Sequence, residues 1–234
     1  MTLTEFFGAG ILGKFIENND TLLAVGFLIS AIAAYLLGSL NFAIMISRRE
    51  YHQDIRSYGS GNAGMTNMMR IYGKRAAILT FVGDTGKAIV AGFIGYAALG
   101  HLGAHIAGLF CVIGHMFPIF FKFKGGKGVA TTAASMLVCN PYVFLIDLVI
   151  YVTIVAIWKY ISLASIMCAL LYPVLLHGVD TVMLGVSPYG IFTVIIALLV
   201  VLKHKENIKR LLNKTESKFS FKKSVKKEDA KEEK

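Results

Sequence analysis

Long apolar stretches, separated by short polar segments, constrain the fold of this chain more than any other feature of its sequence. The first of them, residues 22–47, exceeds the roughly 20 residues that a helix needs to cross a bilayer. Only 16% of the 234 residues are charged, whereas a soluble domain carries about 25%. The sequence therefore predicts an all-α integral membrane protein that crosses the bilayer several times.

Seven crossings are predicted, and the fourth is unusually short. The predicted spans are 22–47, 76–99, 102–121, 129–139, 142–158, 161–177 and 189–202. Eleven helical residues rise about 16 Å, against a hydrocarbon core about 30 Å thick. The fourth span therefore either starts below the membrane surface or thins the bilayer. The alternative is one long helix over 129–158, kinked at Pro141.

The distribution of basic residues predicts the orientation. The net charge is +10, and Lys and Arg lie in clusters beside apolar stretches. The positive-inside rule assigns these clusters to the cytoplasm: 48–75, 122–127, Lys159 and the segment after Lys203. Alternation then requires external turns near Gly100, at 140–141 and within 178–188, where almost no Lys or Arg occurs. We expect an external N-terminus, a cytoplasmic C-terminus and an active site facing the cytoplasm.

The ends of the chain differ from its middle. Residues 1–21 form a weakly amphipathic extension, which we expect on the outer membrane surface. Residues 22–217 form one membrane domain. Residues 218–234 are rich in Lys and Glu and poor in apolar residues, which predicts disorder. Cys111, Cys139 and Cys168 lie in apolar runs, which indicates core packing. No cluster of residues has metal-ligand spacing, so we expect no metal and no cofactor.

A glycine-rich turn at 125–128 is the first candidate site. Gly125, Gly126, Lys127 and Gly128 come directly before an apolar helix. Glycines let backbone N–H groups converge on an anion, the helix start adds partial positive charge, and the lysine adds a full one. The alternative is a cytoplasmic turn whose lysines only set topology.

A second candidate lies in residues 54–70, where small polar residues and glycines separate Arg56 from Arg70. Paired guanidinium donors bind phosphate well. The alternative is an ordinary loop with turn-forming residues. Within the second span, Asp84 and Lys87 are three residues apart, so they share a helix face and can pair. They either support the site as a buried pair or contact substrate.

Four blocks of sequence carry a specific resemblance. They are GSLNFAIMISR (38–48), DIRSYGSGNAGMTNMMRIYGK (54–74), GHMFPIFFKFKGGKGVAT (114–131) and HKENIKRLLNKTE (204–216). Together they resemble the bacterial acyl-phosphate:glycerol-3-phosphate acyltransferase family, and the resemblance extends over about 22–219. Three positions depart from the family pattern: Asn41 where Pro is frequent, Met65 where Ala is usual, and Lys214 where Gly is frequent.

The resemblance implies a seven-span enzyme of the bacterial cytoplasmic (inner) membrane with three cytoplasmic motifs. It implies transfer of a fatty acyl group from acyl phosphate to the 1-hydroxyl of sn-glycerol 3-phosphate. The products would be lysophosphatidic acid and phosphate, in the first acylation of phospholipid synthesis. Acyl phosphate is already activated, so the site needs to orient, to stabilise charge and to remove a proton. Expected partners are both substrates, membrane lipid and the soluble enzyme that makes acyl phosphate; nucleic acid is not expected.

The resemblance also implies roles for single residues. The catalytic set is Ser39, Lys127, His204 and Asn207. The substrate-binding set is Arg48, Arg49, Arg56, Ser60, Gly61, Asn62, Thr66, Asn67, Arg70, His115, Gly125, Gly126, Gly128 and Thr131. Ser39 is expected to orient substrate and not to attack it, unless it only packs as a small residue beside Gly38. His115 either hydrogen-bonds the glycine turn or only packs.

Two other functions suit part of the pattern. Charged residues inside membrane spans also suit a transporter or channel for phosphorylated solutes. Against this, no internal repeat is visible, and repeats are common in transporters. The remaining alternative is another lipid-head-group transferase with the same phosphate-binding turn.

Overall fold

The computed structural model describes residues 10–11, 20–185 and 187–219. The extension (apart from 10–11 and 20–21), residue 186 and the tail after 219 lie outside the described residues, with the predictions made for them. Over the described part, the chain forms α-helices, two 3₁₀ helices and no strand, which confirms the all-α prediction. The helices are α1 Asp20–Ser39, α2 Phe42–Tyr51, α3 Met65–Tyr72, α4 Lys74–Met116, α5 Val129–Cys139, α6 Pro141–Trp158, α7 Ile161–Leu184, α8 Gly190–Lys203 and α9 Lys205–Leu212.

The first span is interrupted between α1 and α2. Asn41 lies at the break with extended backbone angles, and its Oδ1 accepts a hydrogen bond of 3.1 Å from the N–H of Ile44. This is an N-cap, which satisfies one of the free donors at a helix start. The Asn41 amide also donates to the carbonyl of Ala63 at 3.3 Å. The buried Asn41 thus fixes the break next to Ser39.

The long helix α4 is a hairpin of two antiparallel arms, 74–98 and 101–116. Its backbone leaves helical geometry at Leu99 and Gly100, and Gly100 has φ +57°, which favours glycine. Gly95 and Gly103 face each other across the arms so closely that a Cβ on either would meet the other's carbonyl. The reversal lies where an external turn was predicted.

Helix α4 ends at Met116, five residues before the predicted end of the third span at 121. Pro118 follows, and the residue before a proline disfavours helical geometry. A 3₁₀ turn at Ile119–Phe121 comes next, then Lys122 and Phe123, both with φ +58°. The chain is thus unwound from 117 to 128, a segment that contains the glycine turn.

Asn140 separates α5 from α6. Its backbone is extended (φ −154°, ψ 98°), and its side chain accepts from the N–H groups of Tyr142 and Val143. A cap of this kind starts a new helix. The short fourth span is therefore a separate helix, and the alternative of one continuous Pro-kinked helix is wrong.

Helix α7 is longer than predicted, because it continues past 177 to Leu184. Gly178, expected in an external turn, lies inside the helix, and the chain turns instead at Gly185, which has φ +76°. A glycine of this geometry is a common helix end. The turn thus lies within the predicted range 178–188, and only the predicted end of the helix at 177 was too early.

Within the described residues, four helical stretches are long and apolar enough to span a membrane: Thr21–Tyr51, Lys74–Phe121, Pro141–Trp158 and Ile161–Leu184. The second of them contains both arms of the α4 hairpin. Val129–Cys139 and Gly190–Lys203 are shorter apolar helices. Small residues let α1, both arms of α4 and α5 approach closely, among them Ala34, Ala88, Ala107, Cys111 and Ala134. This packing brings the ends of α1 and α4 and the start of α5 to one end of the bundle.

Candidate active site

Ser39 is the last residue of α1 and is fully buried. Its hydroxyl donates to the carbonyl of Tyr35 at 2.8 Å and accepts from the N–H of Ile119 at 3.3 Å. Ser39 thereby ties the first span to the unwound segment before the glycine turn. No acid or base contacts its hydroxyl among the described hydrogen bonds, so the contacts suit an orienting residue better than an activated nucleophile.

The glycine turn packs directly against the end of α4. The N–H groups of Gly125 and Gly126 donate to the carbonyls of Met116 and His115, each at 3.2 Å. These two groups therefore do not point at a ligand, which corrects the expectation that they cradle a phosphate. A Cβ on Gly126 would meet His115 Nε2 and the carbonyl of Ala63. The turn thus needs glycine for close packing.

The start of α5 keeps unpaired polar groups. The first N–H groups of a helix have no partner within that helix. Thr131 and Thr132, in the first turn, are buried, and their hydroxyls have no hydrogen-bond partner among the described residues. Buried polar groups without partners are rare. This helix start therefore offers donors for an anion; Thr131 was predicted as a site residue and Thr132 was not.

Lys127 extends from the glycine turn to α9, where its Nζ donates to Oδ1 of Asn207. The pKa of Lys127 is lowered to about 8, chiefly by burial; the Glu216 charge raises it, and the Arg210 and Arg70 charges lower it. The lysine is thus a poorly hydrated cation, and such a charge acts strongly on a nearby anion.

Glu216 orients Asn207 from the other side. It accepts from Nδ2 of Asn207 and from Nε of Arg210, both at 2.7 Å. Burial opposes its ionisation, but these hydrogen bonds and the Arg210 charge hold the pKa of Glu216 below its ordinary value. Sequence reasoning missed Glu216 and Arg210, although both lie in the quoted block 204–216.

His204 lies between α8 and α9 and is almost completely buried. Its Nδ1 lies 2.8 Å from the carbonyl of Val200, which can only accept, so Nδ1 carries a proton. Burial lowers the pKa of His204 to about 4, with a contribution from the Lys127 charge. The ring is therefore neutral near pH 7, with an unprotonated Nε2.

Arg56 supports the unwound segment and uses four of its five N–H donors within the protein. Its guanidinium pairs with Asp54 through Nε at 2.9 Å and Nη2 at 2.7 Å, while Nη1 donates to the carbonyls of Phe121 and Lys124. The hydrogen bonds from Arg56 and Arg48 hold the pKa of Asp54 well below its ordinary range against the effect of burial. Direct contact of Arg56 with phosphate stays a prediction, which only the remaining Nη2 donor can satisfy in this arrangement.

Asn67 has a similar supporting role in the loop 55–61. Its amide donates to the carbonyls of Tyr58 at 2.9 Å and Ile55 at 3.3 Å, and its Oδ1 accepts from the N–H of Ser60 at 3.0 Å. All its polar atoms are thus used within the loop. Asn67 shapes the loop, and direct contact with substrate does not follow from its geometry.

The other predicted residues divide by their contacts. Arg48 pairs with Asp54 at 2.9 Å and lies over the Phe121 ring. Arg70 is exposed, and its charge acts on Lys127. The remaining predicted residues are Arg49, Gly61, Asn62 and Thr66. No described hydrogen bond joins any of them to Ser39 or Lys127.

Asp84, Lys87 and His115 form a buried network behind the glycine turn. Lys87 Nζ lies 2.8 Å from Asp84 Oδ1 and 2.9 Å from His115 Nδ1. It also donates to the carbonyl of Leu40 at 2.7 Å. The pair thus faces the protein interior, and it supports both Ser39 and the glycine turn. This favours the supporting role over direct contact with substrate.

Comparison with known proteins decides the family. The family model described as glycerol-3-phosphate acyltransferase matches residues 28–214. The chain belongs to the glycerol-3-phosphate acyltransferase family. It is therefore an acyltransferase. The glycerol-3-phosphate acyltransferase of Thermoanaerobacter sp. (strain X514) is 41% identical over 85% of this chain and 98% of the relative. That of Coxiella burnetii (strain RSA 493) is 39% identical over 84% of this chain and 100% of the relative.

Two solved structures resemble this acyltransferase. The glycerol 3-phosphate form of PlsY (YgiH), an integral membrane glycerol 3-phosphate acyltransferase, has a TM-score of 0.74 at 35% identity. Its lysophosphatidic acid form has a TM-score of 0.72 at 34% identity. Each comparison covers 83% of this chain and 96% of the other. The enzyme is accordingly an integral membrane protein.

Proposed function

We propose that this enzyme transfers a fatty acyl group from acyl phosphate to the 1-hydroxyl of sn-glycerol 3-phosphate, giving lysophosphatidic acid and phosphate. The observation that carries the proposal is the half-buried Lys127, held by Asn207 beside the start of α5, where the buried hydroxyl of Thr131 has no hydrogen-bond partner among the described residues. A partly desolvated cation at a helix start suits phosphate. The adjoining apolar helices suit an acyl chain.

In this proposal, the acyl-phosphate head group binds at the start of α5. Lys127, Gly128 and Thr131 contact its phosphate, and Ser39 orients the acyl group. The glycerol 1-hydroxyl then attacks the acyl carbon, a new C–O bond forms as the bond to phosphate breaks, phosphate leaves, and the hydroxyl proton is released. Because the donor is activated, orientation and charge stabilisation suffice.

Glycerol 3-phosphate binds in this proposal between the arginines around Lys127. Arg70 and Arg210 are the cations whose charges act on Lys127. Arg49 is exposed on α2. Arg56 contributes indirectly by fixing the carbonyls of the unwound segment. His204 and Asn207 close the site from the side of α9.

The proposed topology has seven crossings, an external N-terminus and a cytoplasmic site in the bacterial inner membrane. Two observations support it. The α4 hairpin contributes two antiparallel arms, and Asn140 divides α5 from α6. Adding α1 with α2, α7 and α8 gives seven. The proposed domain is 22–217, with 1–21 as an extension and 218–234 as a tail.

The test is transfer by purified protein between synthetic acyl phosphate and labelled glycerol 3-phosphate. We expect labelled lysophosphatidic acid and equimolar phosphate. Acyl-coenzyme A and acylated acyl carrier protein serve as control acyl donors. Both are expected to give little lysophosphatidic acid. Product from a control donor but not from acyl phosphate would contradict the proposed donor. A different labelled acceptor, if preferred, would indicate another lipid-head-group transferase.

A further inference from the structure

The ammonium group of Lys87 is surrounded by three hydrogen-bond acceptors. They are the carbonyl of Leu40 at 2.7 Å, Oδ1 of Asp84 at 2.8 Å and Nδ1 of His115 at 2.9 Å. An ammonium has three protons and no lone pair, so it can only donate. Each proton thus has one acceptor, and Nδ1 of His115 accepts the third.

This arrangement determines the protonation of His115. A ring nitrogen that accepts a hydrogen bond carries no proton, so the ring is neutral and its proton is on Nε2. Asp84 Oδ1 lies 3.4 Å from Nδ1, a longer contact than the 2.9 Å between Lys87 Nζ and the same nitrogen. A proton on Nδ1 would instead point at the Lys87 ammonium. Lys203 is the other nearby cation, and its Nζ donates to the carbonyl of Met116 at 3.1 Å.

The other ring nitrogen faces the glycine turn. Nε2 of His115 lies against Gly126, because a Cβ there would meet it, and no described hydrogen bond uses this nitrogen. His204 has the opposite tautomer, because its Nδ1 donates to Val200. The two histidines of the site therefore offer a donor and an acceptor, respectively.

We propose that Lys87 is a positioning residue that fixes His115 as an Nε2–H donor to a phosphate oxygen of the substrate at the glycine turn. The identity of that substrate rests on the proposed function, but the tautomer does not. Because Nε2 already carries the proton and Nδ1 is occupied, His115 does not act as a general base. Through the carbonyl of Leu40, the same ammonium also fixes the backbone beside Ser39.

The tautomer is measured by nitrogen NMR of the detergent-solubilised full chain, labelled with ¹⁵N-histidine. The chain has 6 histidines, and His115→Gln and His204→Gln assign the two signals. We expect neutral rings for both near pH 7, with the proton of His115 on Nε2 and that of His204 on Nδ1. An imidazolium or an Nδ1 proton at His115 would overturn the proposal. This measurement needs no variant of Lys87 and no substrate.

The donor role is tested with inorganic phosphate and with variants. Added phosphate should shift the His115 Nε2 signal, and Gly126→Ala should abolish that shift.

The positioning role is tested with Lys87→Met. This variant should mix the two His115 tautomers and lower turnover at least about tenfold, because the orientation of a substrate-binding group strongly affects the rate. Lys74→Met, an exposed lysine of the same helix, is the control and should change neither. An unchanged His115 signal in folded Lys87→Met, or no phosphate shift in wild type, would overturn the proposal. The predicted tautomers without any acyl transfer would support Lys87 as the positioning residue and contradict only the proposed function.

Discussion

Lys127 and Asn207 are 80 residues apart in the sequence and are joined by a hydrogen bond from Nζ to Oδ1. Asn207 is in turn held by Glu216. Two consecutive side-chain hydrogen bonds thus connect the glycine turn between α4 and α5 to Glu216, which follows α9. The two segments form one site, so changes at either end should have related effects.

The first prediction concerns this pair. Lys127→Met should lower kcat/KM about 100-fold, which corresponds to about 2.7 kcal/mol, because a half-buried cation is lost. Asn207→Leu should lower it less, since the lysine remains. The double variant should lose less than the product of the two effects, because the residues are in contact. Lys205→Met, exposed on α9, is the control and should be near wild type. Independent, multiplicative losses would contradict a shared function.

The second prediction is a pH dependence. The pKa of Lys127 is lowered to about 8 by burial, so its charge is present below pH 8 and is lost as the pH rises through that value. We expect kcat/KM to decline above about pH 8. Glu216 raises the pKa of Lys127, so Glu216→Gln should move the decline to lower pH. Lys127→Arg should remove the decline, whatever its residual activity. A decline that persists in Lys127→Arg would assign it to another group.

The third prediction concerns Gly126. A Cβ there would meet His115 Nε2 and the carbonyl of Ala63, so Gly126→Ala should displace the turn and raise the KM for acyl phosphate strongly. Gly126→Leu should abolish transfer. Gly86→Ala is the matched control, because nothing lies within 4 Å of its Cβ and alanine favours helix. Saturation curves for each substrate test this. A change in the KM for glycerol 3-phosphate alone would reverse the assignment of the phosphate sites.

The fourth prediction separates orientation from covalent catalysis at Ser39. Ser39→Ala removes the acceptor for the Ile119 N–H and should lower kcat at least about tenfold while the protein still folds. Ser30→Ala is the control, because Ser30 is buried in α1 and also donates to a carbonyl four residues earlier. Intact-mass measurement of wild type with acyl phosphate alone should detect no adduct. A stoichiometric acyl-enzyme would contradict direct transfer.

The fifth prediction is topological. Because α7 extends to Leu184, the outer reporter should be Val182→Cys, which is 87% exposed, and the inner one Ser217→Cys. The three native cysteines are buried and should react little. An impermeant thiol reagent added to intact cells should label the first variant, and the second should react only after lysis. Labelling of both from the same side would refute seven crossings.

The fold was largely predictable because apolar length and glycine or proline signals fix where helices reverse. The reversal at Gly100 and the break at Asn140 lie where the pattern placed them. The errors fall at helix ends. Helix α7 passes Gly178, because a glycine inside a helix costs only about 1 kcal/mol, whereas Gly185 adopts the left-handed geometry that ends a helix. Residue type alone does not distinguish these two glycines.

The site was less predictable than the fold, because residue type does not reveal which hydrogen-bond donors are already used within the protein. Arg56 and Asn67 have the chemistry of ligands, yet their hydrogen bonds all stay within the loops they shape. Glu216 was overlooked because a carboxylate is not expected beside phosphate, and its contact with Asn207 exists only in the folded chain. Lys214 takes φ +56°, a left-handed geometry that favours glycine. This explains why the resemblance leads one to expect glycine at this position.

The position of Glu216 near the end of the membrane domain has a consequence for biogenesis. Synthesis proceeds from the N-terminus, so the glycine turn enters the membrane long before the ribosome supplies the carboxylate that orients Asn207 and Lys127. Nascent chains, and products truncated before this residue, carry every membrane helix of the described domain but not the carboxylate that orients Asn207. We therefore expect unfinished copies to transfer acyl groups poorly until Glu216 has been added.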